Sequence, residues 1–184
     1  MTPIQTLMAE HKDITSMLEV LARVASILDE GTRVSPSHME KILGFLKGYA
    51  DGCHHRKEEE YLFPEMEKAG VPKESGPIGV MLTEHDLGRA YMKEMRDSFE
   101  AYVMGDERAA GKFSESARSY INLLWQHIEK ENMVLFPLAD RCLSAGRQLK
   151  LTESFERMET GPNVKEKHAE FRKLLMNMRK IYLS

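Results

Sequence analysis

The chain has 184 residues, 42% of them hydrophobic and 30% charged, with a formal net charge of −3. That length suits one domain with a real core and excludes two large ones, and the slight acidity leaves no basic footprint for nucleic acid. Two cysteines, Cys53 and Cys142, exclude a disulfide framework and a thiolate-rich metal site, and no apolar run reaches the ~18 residues of a membrane span.

The opening residues Met1–Gln5 lack the basic-then-apolar order of a signal peptide. A cytoplasmic location is expected, with no membrane and no nucleic-acid partner. The thirteen methionines read mostly as core filler.

Four long segments carry helical periodicity. The first runs from about Pro3 to Glu30, with Pro3 suited to a first turn and Gly31 to a stop. Its stripe is Ile4, Leu7, His11, Ile14, Leu18, Leu21, Ala25 and Leu28, so a histidine sits on an apolar face. The second runs from about Ser35 to Lys68, with Ile42, Leu46, Tyr49 and Cys53 on its stripe. The third, from about Pro77 to Gly105, places His85 between Met81 and Gly88. The fourth, from about Asp106 to Ser144, reads Phe113, Ala117, Tyr120, Leu124, His127, Glu131, Val134 and Leu138.

Short connections favour antiparallel neighbours, hence an all-α, up-down-up-down four-helix bundle over residues 1–146. Pro64 and Pro137 are expected to kink or end their helices. After Gly146 the sequence suggests a short turn near Glu153–Met158. An additional C-terminal helix then follows Gly161-Pro162, from about Val164 to Tyr182, in an extension over 147–184 packed on the bundle.

The two halves repeat. Glu10-His11 matches Glu84-His85, and His54-x-x-x-Glu58-x-x-x-Leu62-Phe63-Pro64 matches His127-x-x-x-Glu131-x-x-x-Leu135-Phe136-Pro137. Residues four apart share a helix face, so each half offers two imidazoles and one carboxylate to the bundle interior. No Lys or Arg is evident on the inward faces. Ionised carboxylates there cost several kcal/mol each unless paired or metal-bound. Four histidines and two glutamates suit two cations held by His11, His54, Glu58, His85, His127 and Glu131. Imidazole with carboxylate fits iron, zinc or copper better than calcium or magnesium.

At these residues the sequence resembles the hemerythrin-like (HHE cation-binding) family, over roughly residues 3–144. The resemblance implies a hemerythrin-like four-helix bundle with a non-haem di-iron site. Its two iron ions, oxo- or hydroxo-bridged, would be ligated by those six residues, with zinc or manganese as substitutes in recombinant protein. It implies binding of O2, NO or peroxide at an open iron position, for sensing, storage or stress defence. The alternatives are a di-iron oxidoreductase that reduces peroxide or nitric oxide or repairs iron centres, and an iron- or oxygen-responsive regulatory module. Oxygen carriers have His-x-x-x-His on the third helix and a longer spacing to Asp on the last. Here Arg89 stands four after His85, and Glu131 four after His127, which resembles the sensor and stress-response branches instead.

Around the six, His55 is either a seventh ligand or a residue of the helix–helix boundary. Glu59 and Glu60 either pair with Arg56 and Lys57 or reach a metal-bound histidine. Glu10 and Glu84 repeat with the histidines and are candidates to hold them. His38 is expected to point away, His168 and Cys53 to pack, and Tyr49, Tyr61 and Tyr120 to fill the core.

Overall fold

The computed structural model describes residues 1–160 and 164–184. Gly161-Pro162, read as the start signal of the last helix, lies outside the described residues.

Helix α1 spans Pro3–Asp29 and opens on a capping box: Thr2 accepts from the Gln5 N–H while the Gln5 side chain accepts from the Thr2 N–H. Gly31 follows it with φ of 76°, the left-handed conformation that closes a helix without a Cβ penalty. The rod α2 covers 36–68. It begins as α-helix Pro36–Phe45, widens to π-helix at Leu46–His55 and again at Glu58–Leu62, and closes as Phe63–Lys68. Helix α3 is Pro77–Val103. The rod α4 covers 109–142, as α-helix Ala109–Lys130, π-turn Glu131–Leu135 and α-helix Phe136–Cys142. Helices α5, Ala145–Glu159, and α6, Val164–Tyr182, follow.

The two prolines neither end nor break their rods. Each is preceded by a π-turn in which the Phe N–H bonds a carbonyl five residues back, Phe63 to Glu58 and Phe136 to Glu131. A proline ring in a regular helix collides with the carbonyl four residues earlier. The wider turn gives that carbonyl room, and π-turns of this kind cluster at functional sites. Here each begins at a glutamate of the repeated motif.

The rods α1 to α4 pack in a ring, α1 against α2 and α4, and α3 against α2 and α4. Their interior is two apolar clusters separated by a polar layer. On one side lie Ile14, Leu18, Leu46, Tyr49, Met95, Phe113 and Leu124. On the other lie Leu7, Leu62, Phe63, Met81, Leu135 and Phe136. In every rod the repeated pattern falls between them: His11 after Leu7, His54 and Glu58 between Ala50 and Leu62, His85 after Met81, His127 and Glu131 between Leu124 and Leu135.

The tail holds two helices where one was expected. In place of a short turn near Glu153–Met158 stands the 15-residue α5. It is capped by Ser144, which accepts from the Arg147 N–H. Its buried residues are only Leu151 and Phe155, too few for a legible stripe. Helix α6 lies on α1 and α2, burying Leu175 and Met178. A Cβ at Gly48 of α2 would meet the Phe171 ring of α6 at 2.5 Å, so the bare glycine gives Phe171 its seat between Phe45 and Tyr49. Phe171→Ala is expected to cost about 2–3 kcal/mol in urea unfolding, below the ~3–5 of a fully enclosed Phe, and to raise hydrogen exchange in α6 selectively.

Candidate metal centre

All six residues singled out by the repeat are buried and face one another: His11, His54, Glu58, His85, His127 and Glu131 are each at most 3% exposed. They form two groups, His11–His54–Glu58–Glu131 and Glu58–His85–His127–Glu131, whose donor atoms lie within 4.8 Å of one another in each. Both glutamates belong to both groups.

The histidines face each other through Nε2. His11 Nε2 is 2.9 Å from His54 Nε2, and His85 Nε2 is 3.1 Å from His127 Nε2. Their outer nitrogens are all engaged. His54 Nδ1 lies 2.9 Å from Glu10, His127 Nδ1 3.0 Å from Glu84, His85 Nδ1 2.7 Å from Glu59, and His11 Nδ1 2.9 Å from the Asn132 side-chain oxygen. Carboxylate and amide oxygens only accept, so the four Nδ1 atoms carry the protons. With all four imidazoles neutral, as metal ligands must be, that leaves four Nε2 lone pairs aimed inward, each pair at hydrogen-bond distance with no proton between.

The carboxylates complete the pattern. Glu58 places Oε1 3.7 Å from His54 Nε2 and Oε2 3.5 Å from His85 Nε2. Glu131 places Oε1 3.1 Å from His127 Nε2 and Oε2 3.1 Å from His11 Nε2. Each carboxylate therefore spans one imidazole from each half. Despite these short distances all four oxygens lack a hydrogen bond, because the facing nitrogens present lone pairs rather than N–H groups. Eight inward lone-pair donors sharing two small volumes are an arrangement that two cations would satisfy. The donor set fits the group.

A sequence pattern decides the family. The Hemerythrin HHE cation binding domain matches residues 2–139. The chain belongs to the hemerythrin HHE cation-binding family. Among its relatives are uncharacterized proteins of Mycobacterium tuberculosis and Mycobacterium bovis, each 27% identical over 162 residues that cover 84% of this chain and 60% of theirs. The iron-sulfur cluster repair protein YtfE of Edwardsiella ictaluri is 32% identical over 136 residues, 70% of this chain and 59% of that protein. The chain thus spans about 60% of the length of the curated relatives it matches.

Within this hemerythrin-like centre the pseudo-symmetry extends outward. Glu10 and Glu84, each preceding its half's first histidine, hold the second histidine of the same half. Glu59 and Asn132, each following the motif glutamate, hold the first histidine of the other half. The Phe of each Leu-Phe-Pro also crosses over: Phe136 stacks on His11 at 5.3 Å and Phe63 on His85 at 6.1 Å. Asn132 escaped the sequence reading. The signal was there, since it occupies the repeat position of Glu59.

Taken alone, the protein groups conflict electrically. Burial, with Glu131 opposite, pushes the Glu58 carboxyl well above its usual range. Burial also works against ionised Glu131, but His127 and His11 outweigh it and hold that carboxyl well below its usual range. Burial and the neighbouring His11 depress His54, whereas in His127 the burial effect is outweighed by Glu131 and Glu84, which push it up to about 9. His85 and Arg89 hold Glu59 at about 2 against desolvation.

The other candidates divide. His55 is buried and stacks on His85 at 3.9 Å with planes 17° apart. Nearly parallel rings cannot aim in-plane lone pairs at one atom, so the structure sets His55 against the face of His85, while also grouping its donor atom with those of His85 and His127. Arg89 bonds both Asp51 and Glu59. Glu60 pairs with Arg56 at 2.9 Å. His38 points away, to the Tyr182 hydroxyl. Tyr49 packs in the core and donates to Asp13, and Tyr120 is buried beside it in the same cluster. Tyr61 packs at the edge of the other cluster. His168 approaches Cys53 Sγ at 3.1 Å. The expectation that no cation faces inward is wrong: Lys57 is 0% exposed and pairs with Glu10 and Glu159 rather than with Glu59 or Glu60. The signal was there, since Lys57 lies four residues after Cys53 and three after His54 and so shares their helix face.

Glu58→Gln puts a neutral group of the same shape in place of a carboxyl that, without metal, must either take up a proton or stand as an unpaired buried charge. In chelator-stripped protein it is expected to raise unfolding stability by about 1–3 kcal/mol. In metal-loaded protein the same variant is expected to be the less stable, as read by urea titration with and without chelator.

Proposed function

We propose that this chain is a non-haem di-iron protein in which His11, His54, Glu58, His85, His127 and Glu131 would hold two irons, His11 with His54 serving one and His85 with His127 the other, and Glu58 and Glu131 belonging to both groups. We assign the metal-binding unit to residues 1–146 and treat 147–184 as its helical extension. The observation that carries the reading is the set of four Nε2 atoms and four unpartnered carboxylate oxygens converging in two groups. Imidazole and carboxylate donors without thiolate suit iron, zinc or copper, and membership of the hemerythrin family favours iron among them.

Iron held this way supplies a redox-active Lewis acid able to take a small exogenous ligand. The chain's own residues determine the rest. The carboxylates of Glu10, Glu59 and Glu84 draw on the Nδ1 protons of three histidines, fixing their tautomer and raising their basicity. The apolar clusters on either side exclude bulk water and large substrates. A surface groove of about 1110 Å³ between α1 and α4, with Met8, Trp125 and Met133 on its walls, reaches His11 and Asn132. The ligand that enters from this groove is taken to be O2, NO or peroxide, bound for sensing, storage or stress defence in the cytoplasm. Among the described residues no helix is long and apolar enough to cross a membrane.

The second reading is catalytic: reduction of peroxide or nitric oxide, or repair of iron centres. It is favoured by the likeness to a protein named for iron-sulfur cluster repair.

Anaerobic reconstitution with ferrous iron is expected to give two irons per chain, and exposure to air or NO to produce ligand-to-metal charge-transfer absorption. The double variant Glu58→Ala, Glu131→Ala is expected to bind neither iron. Retention of both irons by that variant sinks the assignment. Steady-state consumption of NO or peroxide with a supplied reductant separates the catalytic reading from simple binding. Because the site forms only on folding, chelation is expected to lower the melting temperature.

A further inference from the structure

The two halves of the centre differ in what lies behind their histidines. In the second half His127 Nδ1 bonds Glu84, Glu84 pairs with Lys130, and Lys130 remains 40% exposed. In the first half His54 Nδ1 bonds Glu10, Glu10 pairs with Lys57, and Lys57 is fully enclosed. What encloses it is the tail. Glu159, the last residue of α5, is its second carboxylate partner, and the Phe155 ring lies 5.5 Å from its Nζ. Alongside, His168 of α6 meets Cys53, the neighbour of His54.

Two carboxylates share one ammonium in this cluster, which leaves surplus negative charge in a poorly hydrated place. A cation at His54 Nε2 makes the Nδ1 proton more acidic and strengthens its bond to Glu10. As Glu10 is drawn toward His54, Lys57 is freer to bond Glu159. The sign is therefore fixed: metal at the His11/His54 position tightens the hold on α5.

We propose that Lys57 and Glu159 are positioning residues that couple metal occupancy at the His11/His54 position to docking of the C-terminal helices, a coupling the His85/His127 position lacks. The inference rests on the two-metal reading given above. Binding linkage is reciprocal, so loosening α5 must also loosen that one metal.

The test uses the full chain and two readouts, hydrogen exchange across α5 and the rate of metal release to a competing chelator. Wild-type protein is expected to hold two irons and to exchange more slowly in α5 when loaded than when stripped. Glu159→Gln, at a half-exposed position that tolerates change, is expected to fill with two irons as well. One of them should then leave about ten-fold faster, and the loading-dependent difference in α5 should vanish. Lys130→Gln is expected to speed release of the other iron without touching α5 exchange, and Lys57→Arg to restore the coupling that Lys57→Gln loses. Fewer than two irons in the wild type overturns the metal reading and this inference with it. Two irons with wild-type release from Glu159→Gln, or α5 exchange indifferent to loading, overturns this inference alone.

Discussion

Two carboxylates buried between apolar clusters, with no proton donor directed at any of their four oxygens, are the constraint around which this molecule is arranged. Leaving such charges in a protein interior costs several kcal/mol each. Everything near them works toward positive charge at their midpoint: four Nε2 lone pairs point inward, and four Nδ1 protons are tied outward. The apolar clusters above and below make the arrangement costly in its own right and strongly dependent on what binds there, which is how metal binding becomes folding free energy.

The repeat explains why the centre is so regular. Each helix pair supplies the same motif, and the two pairs meet about an approximate two-fold axis. The residue after the motif glutamate therefore reaches the opposite half, and the motif phenylalanine lies on the opposite half's histidine. A π-turn before each proline delivers both glutamates in equivalent settings. The symmetry is broken at a few places, each with a chemical consequence. Asn132 stands where Glu59 would repeat, so His11 alone is held by a neutral oxygen. His55 lies against His85 and has no counterpart on the other side, where Ile128 follows His127. Arg89 ties Asp51 and Glu59 together behind His85.

The tail is the fourth asymmetry and the largest. Among the described residues its helices lie mainly against α1 and α2. Phe171 uses the missing side chain of Gly48, Phe155 and Leu151 extend the lower apolar cluster, and Glu159 closes over Lys57. An extension that packed on the bundle by apolar contact alone would be indifferent to the centre. The ion pair at its end gives it a line of contact to His54.

The amino-acid sequence alone determined the all-α bundle, the four main rods and the six residues brought together at its centre. Those follow from strong local periodicity and from a duplicated motif, in which every side chain of interest lies a fixed number of residues from its helical neighbours. It also placed Glu10 and Glu84 near the histidines, because they repeat with them. Only tertiary structure decided what depends on contacts between distant segments. Lys57 shares a helix face with Cys53 and His54, but only the approach of Glu10 from α1 and of Glu159 from the tail decides how its ammonium is paired and enclosed. Glu59 and Asn132 act on the opposite half, a relation no within-helix spacing encodes. Helix α5 has just two buried apolar residues, a pattern too sparse to read until a neighbouring surface exists for them to cover. Periodicity is a property of one helix, while partnership across a bundle is a property of how the helices meet.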